Sequence, residues 1–154
     1  MIKYLCALSI LFSGCTLSAT NTNDMGLFRD NNYNILALAG GYNCSVYRIP
    51  NDLSEFNKYG GSPIGTAKLE VTPYADYSSS MVNIVFDTGT VITSPKLPLN
   101  STGSEATVYF SENAGALFAY MIYDTMGVKV IVQNNNKGKE ISIGLADCKY
   151  DKAQ

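Results

Sequence analysis

Hydrophobic and polar residues alternate in short runs over the second half of the chain, between Lys96 and Cys148. Four polar turns interrupt this stretch, and each contains Gly or Asn, which readily adopt the positive φ of a tight reversal. The runs between the turns are rich in Val, Ile, Tyr and Phe and are too short for free-standing helices. The pattern predicts an antiparallel meander of four strands, over residues 106–112, 116–124, 128–133 and 140–148.

The first half of the chain predicts further strands of the same kind. Apolar and polar residues alternate over residues 42–49 and 67–72, so each stretch predicts a strand with one solvated face. Residues 81–86 and 90–93 flank Asp87-Thr88-Gly89, which is typical of a hairpin turn. About eight short strands and no long helix predict an all-β fold, a small antiparallel β-barrel or sandwich closed by the meander.

The remaining stretches are less regular. Residues 35–39 predict either a first strand or a short helical turn, and residues 50–65 predict a long loop with one optional helical turn at 53–58. Residues 16–34 are rich in Ser, Thr, Asn and Asp without periodicity, which predicts a flexible tether. The chain has 154 residues, 46% of them hydrophobic, and we therefore expect a single folded domain over residues 35–154.

The first 15 residues are typical of a bacterial export signal. Lys3 precedes an apolar run at residues 4–12, and Ser13 and Gly14 then lead to Cys15 as in a lipobox. Phe12 stands where the usual lipobox has Leu. The apolar run is too short to span a bilayer as a helix. The pattern predicts a lipoprotein-type signal segment over residues 1–15, with lipid attached to Cys15.

Cleavage after Ala19 as an ordinary secretory signal is the alternative reading of this leader. In the lipoprotein reading, Thr16 follows the cysteine where a retention signal would have Asp, which favours the outer membrane, facing either the periplasm or the cell surface. Cleavage would also remove Lys3 from the 11 basic residues and leave the 13 acidic ones, for a formal charge of −3.

Two cysteines remain outside the leader, because Cys6 lies within it and Cys15 would carry the lipid. These are Cys44, in the strand predicted near the start of the domain, and Cys148, at the end of the last strand. Disulfides form in exported proteins, so we predict a bond between the two. A closed loop of about 100 residues gives a chain-entropy contribution of about 4 to 5 kcal/mol.

The chain contains no histidine, which excludes Ser-His-Asp and Cys-His catalysis and the usual zinc sites. The pI near 5.0 provides no electrostatic basis for binding nucleic acid. We therefore expect no metal, no cofactor and no enzymatic activity. One alternative is a small aspartic-protease-like enzyme, because Asp87-Thr88-Gly89 matches that signature and a dimer could pair two copies of Asp87. Another is a barrel that carries a small apolar ligand in its interior.

Several segments together resemble one known family, that of the adhesin complex protein and the periplasmic and membrane-bound inhibitors of c-type lysozyme. The resemblance covers about residues 41–148, with an insertion at 50–65. It is carried by the Tyr42-Asn43-Cys44 sequence and by residues 94–100, 105–109, 114–117, 123–127 and 144–148. It implies a small eight-stranded β-barrel with a disulfide that binds a protein partner, either c-type lysozyme or a host surface protein.

The resemblance also implies which residues would contact such a partner. Family inhibitors insert one loop bearing Ser and one bearing Lys into the lysozyme cleft. The candidate positions here are Ser101, Ser104, Glu105, Asp124, Met126 and Lys129. Met126 stands where the family has the Lys, so Lys129 is the nearby cation. For a cleft binder the two loops have to lie side by side at one end of the barrel.

Overall fold

A computed structural model describes residues 24–49, 61–136 and 141–152, and these residues form only strands, turns and connecting segments. The all-β fold predicted from the sequence is therefore confirmed. No helix able to cross a membrane occurs in these three ranges. The strands are β1 Leu27–Arg29, β2 Ile35–Ala37, β3 Gly40–Arg48, β4 Gly65–Tyr74, β5 Ser79–Phe86, β6 Val91–Thr93, β7 Leu97–Ser101, β8 Ala106–Asn113, β9 Ala116–Tyr123, β10 Gly127–Asn134 and β11 Ile141–Tyr150.

Eight of the strands close into an antiparallel ring in the order β4, β3, β11, β10, β9, β8, β7, β5 and back to β4. The closure depends on β5, which pairs with β4 along one edge. Its other edge is shared, because β6 pairs with Asn83 to Val85 and β7 pairs with Ser79 and Ser80. The meander predicted from the turns corresponds to β8 through β11.

The interior of the ring is filled by side chains from every strand. Tyr42, Tyr109 and Tyr120 are fully buried among aliphatic residues, and the rings of Tyr109 and Tyr120 stack with centroids 5.3 Å apart. The Tyr42 hydroxyl donates to the Leu38 carbonyl at 2.7 Å, and that of Tyr109 donates to the Tyr77 carbonyl at 2.9 Å. Tyr42 and Tyr109 therefore keep their hydroxyl groups hydrogen-bonded inside the barrel, as burial requires.

The predicted disulfide is confirmed and joins Cys44 of β3 to Cys148 of β11. Both cysteines face the interior, and 104 positions of sequence separate them. A bulge precedes Cys148 in β11, where Asp147 has a positive φ of 52° and the register against β3 shifts. The bulge keeps Cys148 directed inward while the carboxylate of Asp147 points outward to accept the Tyr47 hydroxyl.

The sequence predicted a flexible tether over residues 16–34, and for the last part of this segment the prediction was wrong because the chain is folded there. Strands β1 and β2 form a hairpin whose Leu27 and Ile35 are buried in the barrel core. The turn between them is built by Asp30, whose carboxylate accepts the backbone N–H groups of Asn32 and Asn34 at 2.8 and 2.9 Å. Polar composition here reflects a side-chain-stabilised turn. The leader and the first part of the tether, residues 1–23, lie outside the described residues.

Strand β7 is the one strand of the ring that the sequence pattern did not predict. Pro95 and Pro98 lie in or next to it, and proline lacks the N–H needed for a regular ladder. Its pairing with β8 is limited to Leu99 with Tyr109 and Ser101 with Val108, with a bulge between them. The optional helical turn at 53–58 lies outside the described residues.

Candidate functional site

The two loops implied as partner-binding lie side by side at one end of the barrel. Residues 101–105, here called loop A, run from the last residue of β7 into β8. Residues 124–129, called loop B, comprise the turn after β9 and the first three residues of β10. Ala106 and Tyr123 are direct cross-strand partners, so the two loops leave the sheet from the same place. The Asp124 N–H donates to the Glu105 carbonyl at 3.0 Å. The expected juxtaposition of the loops is therefore present in the structure.

Arg29, the last residue of β1, holds both loops. Its Nη1 donates to the Ser104 carbonyl of loop A at 2.8 Å and to the Tyr33 carbonyl of its own hairpin at 3.0 Å. Its Nη2 pairs with Asp124 Oδ1 of loop B at 2.8 Å. A guanidinium provides several N–H donors in a planar fork, which lets one side chain connect three chain segments.

Further contacts fix loop A against the hairpin and against β8. The Ile35 N–H donates to the Gly103 carbonyl at 2.8 Å, and the hydroxyls of Thr102 and Thr107 lie 3.0 Å apart. On the loop B side, Met25 packs against Gly127, whose φ of +72° places it in the left-handed region that favours glycine. The hairpin and the two loops therefore form one connected surface, called here the loop end.

Two large apolar side chains remain exposed at the loop end. Tyr33, at the tip of the hairpin turn, is 74% exposed, and Met126, in loop B, is 49% exposed. The Arg29–Asp124 ion pair lies with them at this end. Tyr, Met and Arg are enriched in the cores of protein–protein interfaces relative to the rest of protein surfaces. The loop end therefore exposes residue types that are enriched in protein–protein interfaces.

The individual candidates occupy different positions at this end. Ser101 is the last residue of β7, and it is exposed, as are Ser104 and Glu105 of loop A. Lys129 lies on β10, where its Nζ is 3.4 Å from Met126 Sδ and 5.7 Å from the centre of the Tyr123 ring. The Lys129 ammonium thus lies beside Met126, although Lys129 belongs to the strand and not to the turn.

Asp87 lies at the opposite end of the barrel, in the hairpin turn between β5 and β6. Gly89 has a φ of +84°, as the predicted turn requires. The Asp87 carboxylate accepts the backbone N–H of Thr66 at 3.1 Å, which ties the turn to the start of β4. The described ranges contain no group of three or more His, Cys, Asp or Glu residues that could hold a metal.

Arg29 and Tyr33 are the residues of this site that the sequence pattern did not single out. Both belong to the segment predicted as a tether. The signal was nevertheless present, because Asp30-Asn31-Asn32 separates the short apolar runs of β1 and β2 as a hairpin turn would. The contact of Arg29 with Ser104, 75 positions away, has no local sequence signature.

No protein family, no curated protein and no solved structure matches this chain.

Proposed function

We propose that this chain is an exported bacterial lipoprotein of the outer membrane that binds a protein partner through the loop end of its barrel. The observation that carries the proposal is the Arg29 contact set, which fixes loop A, loop B and the hairpin tip together while Tyr33 and Met126 stay exposed. A preorganised surface loses little conformational entropy on binding, so its exposed anchors contribute more fully to affinity.

A c-type lysozyme is the partner that the family resemblance favours. In that role the exposed Ser104 donates a hydrogen bond within the enzyme cleft, and Lys129 approaches the catalytic carboxylates from beside Met126. A mature chain with a formal charge of −3 would be steered toward a basic enzyme, so association should weaken as salt is added.

The test is the lysis of peptidoglycan by a c-type lysozyme in the presence of the barrel. We expect the wild type to slow lysis, Ser104→Ala to weaken inhibition and Met126→Lys to strengthen it. The added lysine would make a charge-assisted contact of about 1.5 to 3 kcal/mol with the enzyme carboxylates. Val91→Lys is the matched control, because Val91 is similarly exposed but lies near the opposite end of the barrel. An unchanged lysis rate with micromolar wild type and with Met126→Lys would exclude lysozyme as the partner.

The lipid anchor has a separate test. Replacing Cys15 by Ala should move the mature protein from the membrane fraction to the soluble fraction, since the lipid would be its attachment. Mass spectrometry of the wild type should find a lipid on an N-terminal Cys15. An unmodified N-terminus beyond residue 15 would contradict the lipoprotein assignment without affecting the binding proposal.

A further inference from the structure

A second concave surface lies on the outer wall of the barrel, and no residue of loops A and B lines it. It is a groove of about 560 Å³ across β11, β3, β4 and β5. The side chains that matter for its chemistry are hydroxyl, amide and ammonium groups, namely Ser45, Thr66, Asn43, Lys68 and Lys149. Among the described residues, the large apolar side chains that line the groove are Val85 and Phe86.

The strand register places the two lysines at a defined separation. Lys149 is the cross-strand partner of Asn43, and Asn43 is the partner of Lys68. Neighbouring strands lie about 4.8 Å apart, so the two lysine backbones stand about 10 Å apart with an amide between them. In the described part of the chain neither ammonium group is within ion-pair distance of a carboxylate. Lys149 has only a longer-range electrostatic interaction with the Asp24 carboxylate.

Two carboxylates also line the groove, and both are already engaged. Asp87 accepts the N–H of Thr66 at 3.1 Å, and Asp147 accepts the hydroxyl of Tyr47. Each carboxylate has about four lone-pair positions, so both can accept further hydrogen bonds from a ligand. The groove therefore offers cations, carboxylate acceptors and short hydroxyl and amide groups in one place.

We propose that this groove binds an acidic oligosaccharide, a sugar chain that carries carboxylate groups. Lys68 and Lys149 would pair with the sugar carboxylates, while Asn43, Asp87 and Asp147 would bond the ring hydroxyls. A purely anionic ligand would be repelled by the two aspartates, whereas a sugar acid satisfies both kinds of group. An extended peptide is disfavoured, because β3, β4 and β11 are paired along both edges here and no edge is free for strand addition.

The probe for the test is a trisaccharide of galacturonic acid, and its methyl ester is the neutral control of nearly equal shape. Nuclear magnetic resonance of the isotope-labelled protein would follow backbone amides at low ionic strength. We expect the acid to shift the amides of Asn43, Thr66, Lys68 and Lys149 with saturation, and the ester to bind at least tenfold more weakly. Absence of saturable shifts at millimolar acid, or equal binding of the ester, would overturn the proposal.

Variants separate a specific groove from general attraction to lysine. The double substitution Lys68→Gln and Lys149→Gln should weaken binding of the acid at least tenfold, whereas Lys96→Gln should leave it unchanged, because Lys96 lies over the Tyr74 ring elsewhere on the barrel. An equal loss in Lys96→Gln, or the same amide shifts from sodium sulfate at matched ionic strength, would also overturn it. The proposal does not depend on the loop end, so the lysozyme assay can fail without affecting this outcome.

Discussion

The outer wall formed by β3, β4 and β5 differs from the outer wall formed by β8, β9 and β10, although both enclose the same interior. On the first wall, outward positions carry polar residues such as Asn43, Lys68 and Glu70, and they are exposed. On the second wall they carry Ala119, Met121 and Ile131, and these are buried. The first wall is the usual arrangement of an antiparallel sheet with one solvated face, whereas the second wall also carries buried apolar residues on its outer face.

The apolar wall forms a second, smaller core outside the barrel. Ala119, Met121 and Ile131 pack with Ile49, which directly follows β3. As a result, consecutive residues of β9 and β10 are buried, alternately against the interior and against the outer cluster. A large-to-small substitution on this wall should therefore lower the free energy of unfolding as much as one in a core. A substitution on the polar wall should change it little.

The largest expected effect on stability concerns the disulfide that lies on the inner side of the polar wall. Replacing both Cys44 and Cys148 by Ser should lower the free energy of unfolding by about 4 to 5 kcal/mol, because the unfolded chain regains the freedom of a loop spanning 104 positions. Denaturant unfolding of wild type and variant measures the difference, with thiol alkylation of the wild type as the control. Two free thiols in the exported protein, or a loss below about 1 kcal/mol, would contradict this prediction.

The next effect tests the apolar wall directly. Ile131→Ala should lower the free energy of unfolding by about 2 to 4 kcal/mol, because Ile131 is only 5% exposed and its removal leaves a cavity. Val85→Ala, on the polar wall and 38% exposed, is the matched control and should stay within about 0.5 kcal/mol. Equal losses in the two variants would mean that the outer walls do not differ energetically.

The difference between the walls also explains what the sequence could predict. Strands with one solvated face, such as β3 and β4, show a clean alternation that identifies their inward residues, Cys44 among them. In β9 and β10 the apolar runs are nearly continuous, which predicts strands without telling which face is inside.

Other features had only a weak local signature or none. The hairpin of β1 and β2 has three-residue strands that are stable only through burial of Leu27 and Ile35 in the barrel. Strand β7 is obscured by its prolines. The adjacency of loops A and B was expected only as a condition of the cleft-binding role that the family resemblance implies. The connection through Arg29 depends on hydrogen bonds between distant segments and was not expected.

A pH effect is expected from the tyrosines inside the ring. Burial raises the pKa of Tyr109 from its ordinary value of 10.0 to about 12, and it also raises the pKa values of Tyr42 and Tyr120. The folded state thus favours the neutral phenol. This stabilisation is complete below pH 10 and is lost as the pH rises from about 10 through the folded-state values, because the unfolded chain ionises first.

Thermal unfolding between neutral pH and pH 12 would measure this loss, with tyrosinate absorbance recorded in parallel. Tyr109→Phe, compared with the wild type, should flatten the alkaline decline while costing about 1 kcal/mol at neutral pH from its lost hydrogen bond to Tyr77. Identical declines in the two proteins would show that Tyr109 does not contribute.

The smallest effect on stability is expected at Arg29, where the consequence for the loop end should be large. The Arg29 and Asp124 side chains are 37% and 44% exposed, so Arg29→Ala should cost at most about 1 kcal/mol of unfolding free energy. Loops A and B would, however, lose the group that joins them. Amide hydrogen exchange should accelerate at Asp124, which donates to Glu105, and at Ile35, which donates to Gly103.

Arg48→Ala is the matched control for this experiment, because it removes the same charge from an exposed position on β3 outside the loop end. We expect it to leave the exchange of both amides unchanged. If Arg29→Ala also leaves them unchanged, the loops are rigid without the arginine, and their preorganisation has to come from the strand ends alone. If exchange accelerates while global stability is retained, the loop end is a separately organised part of the barrel, held by a residue from the N-terminal hairpin.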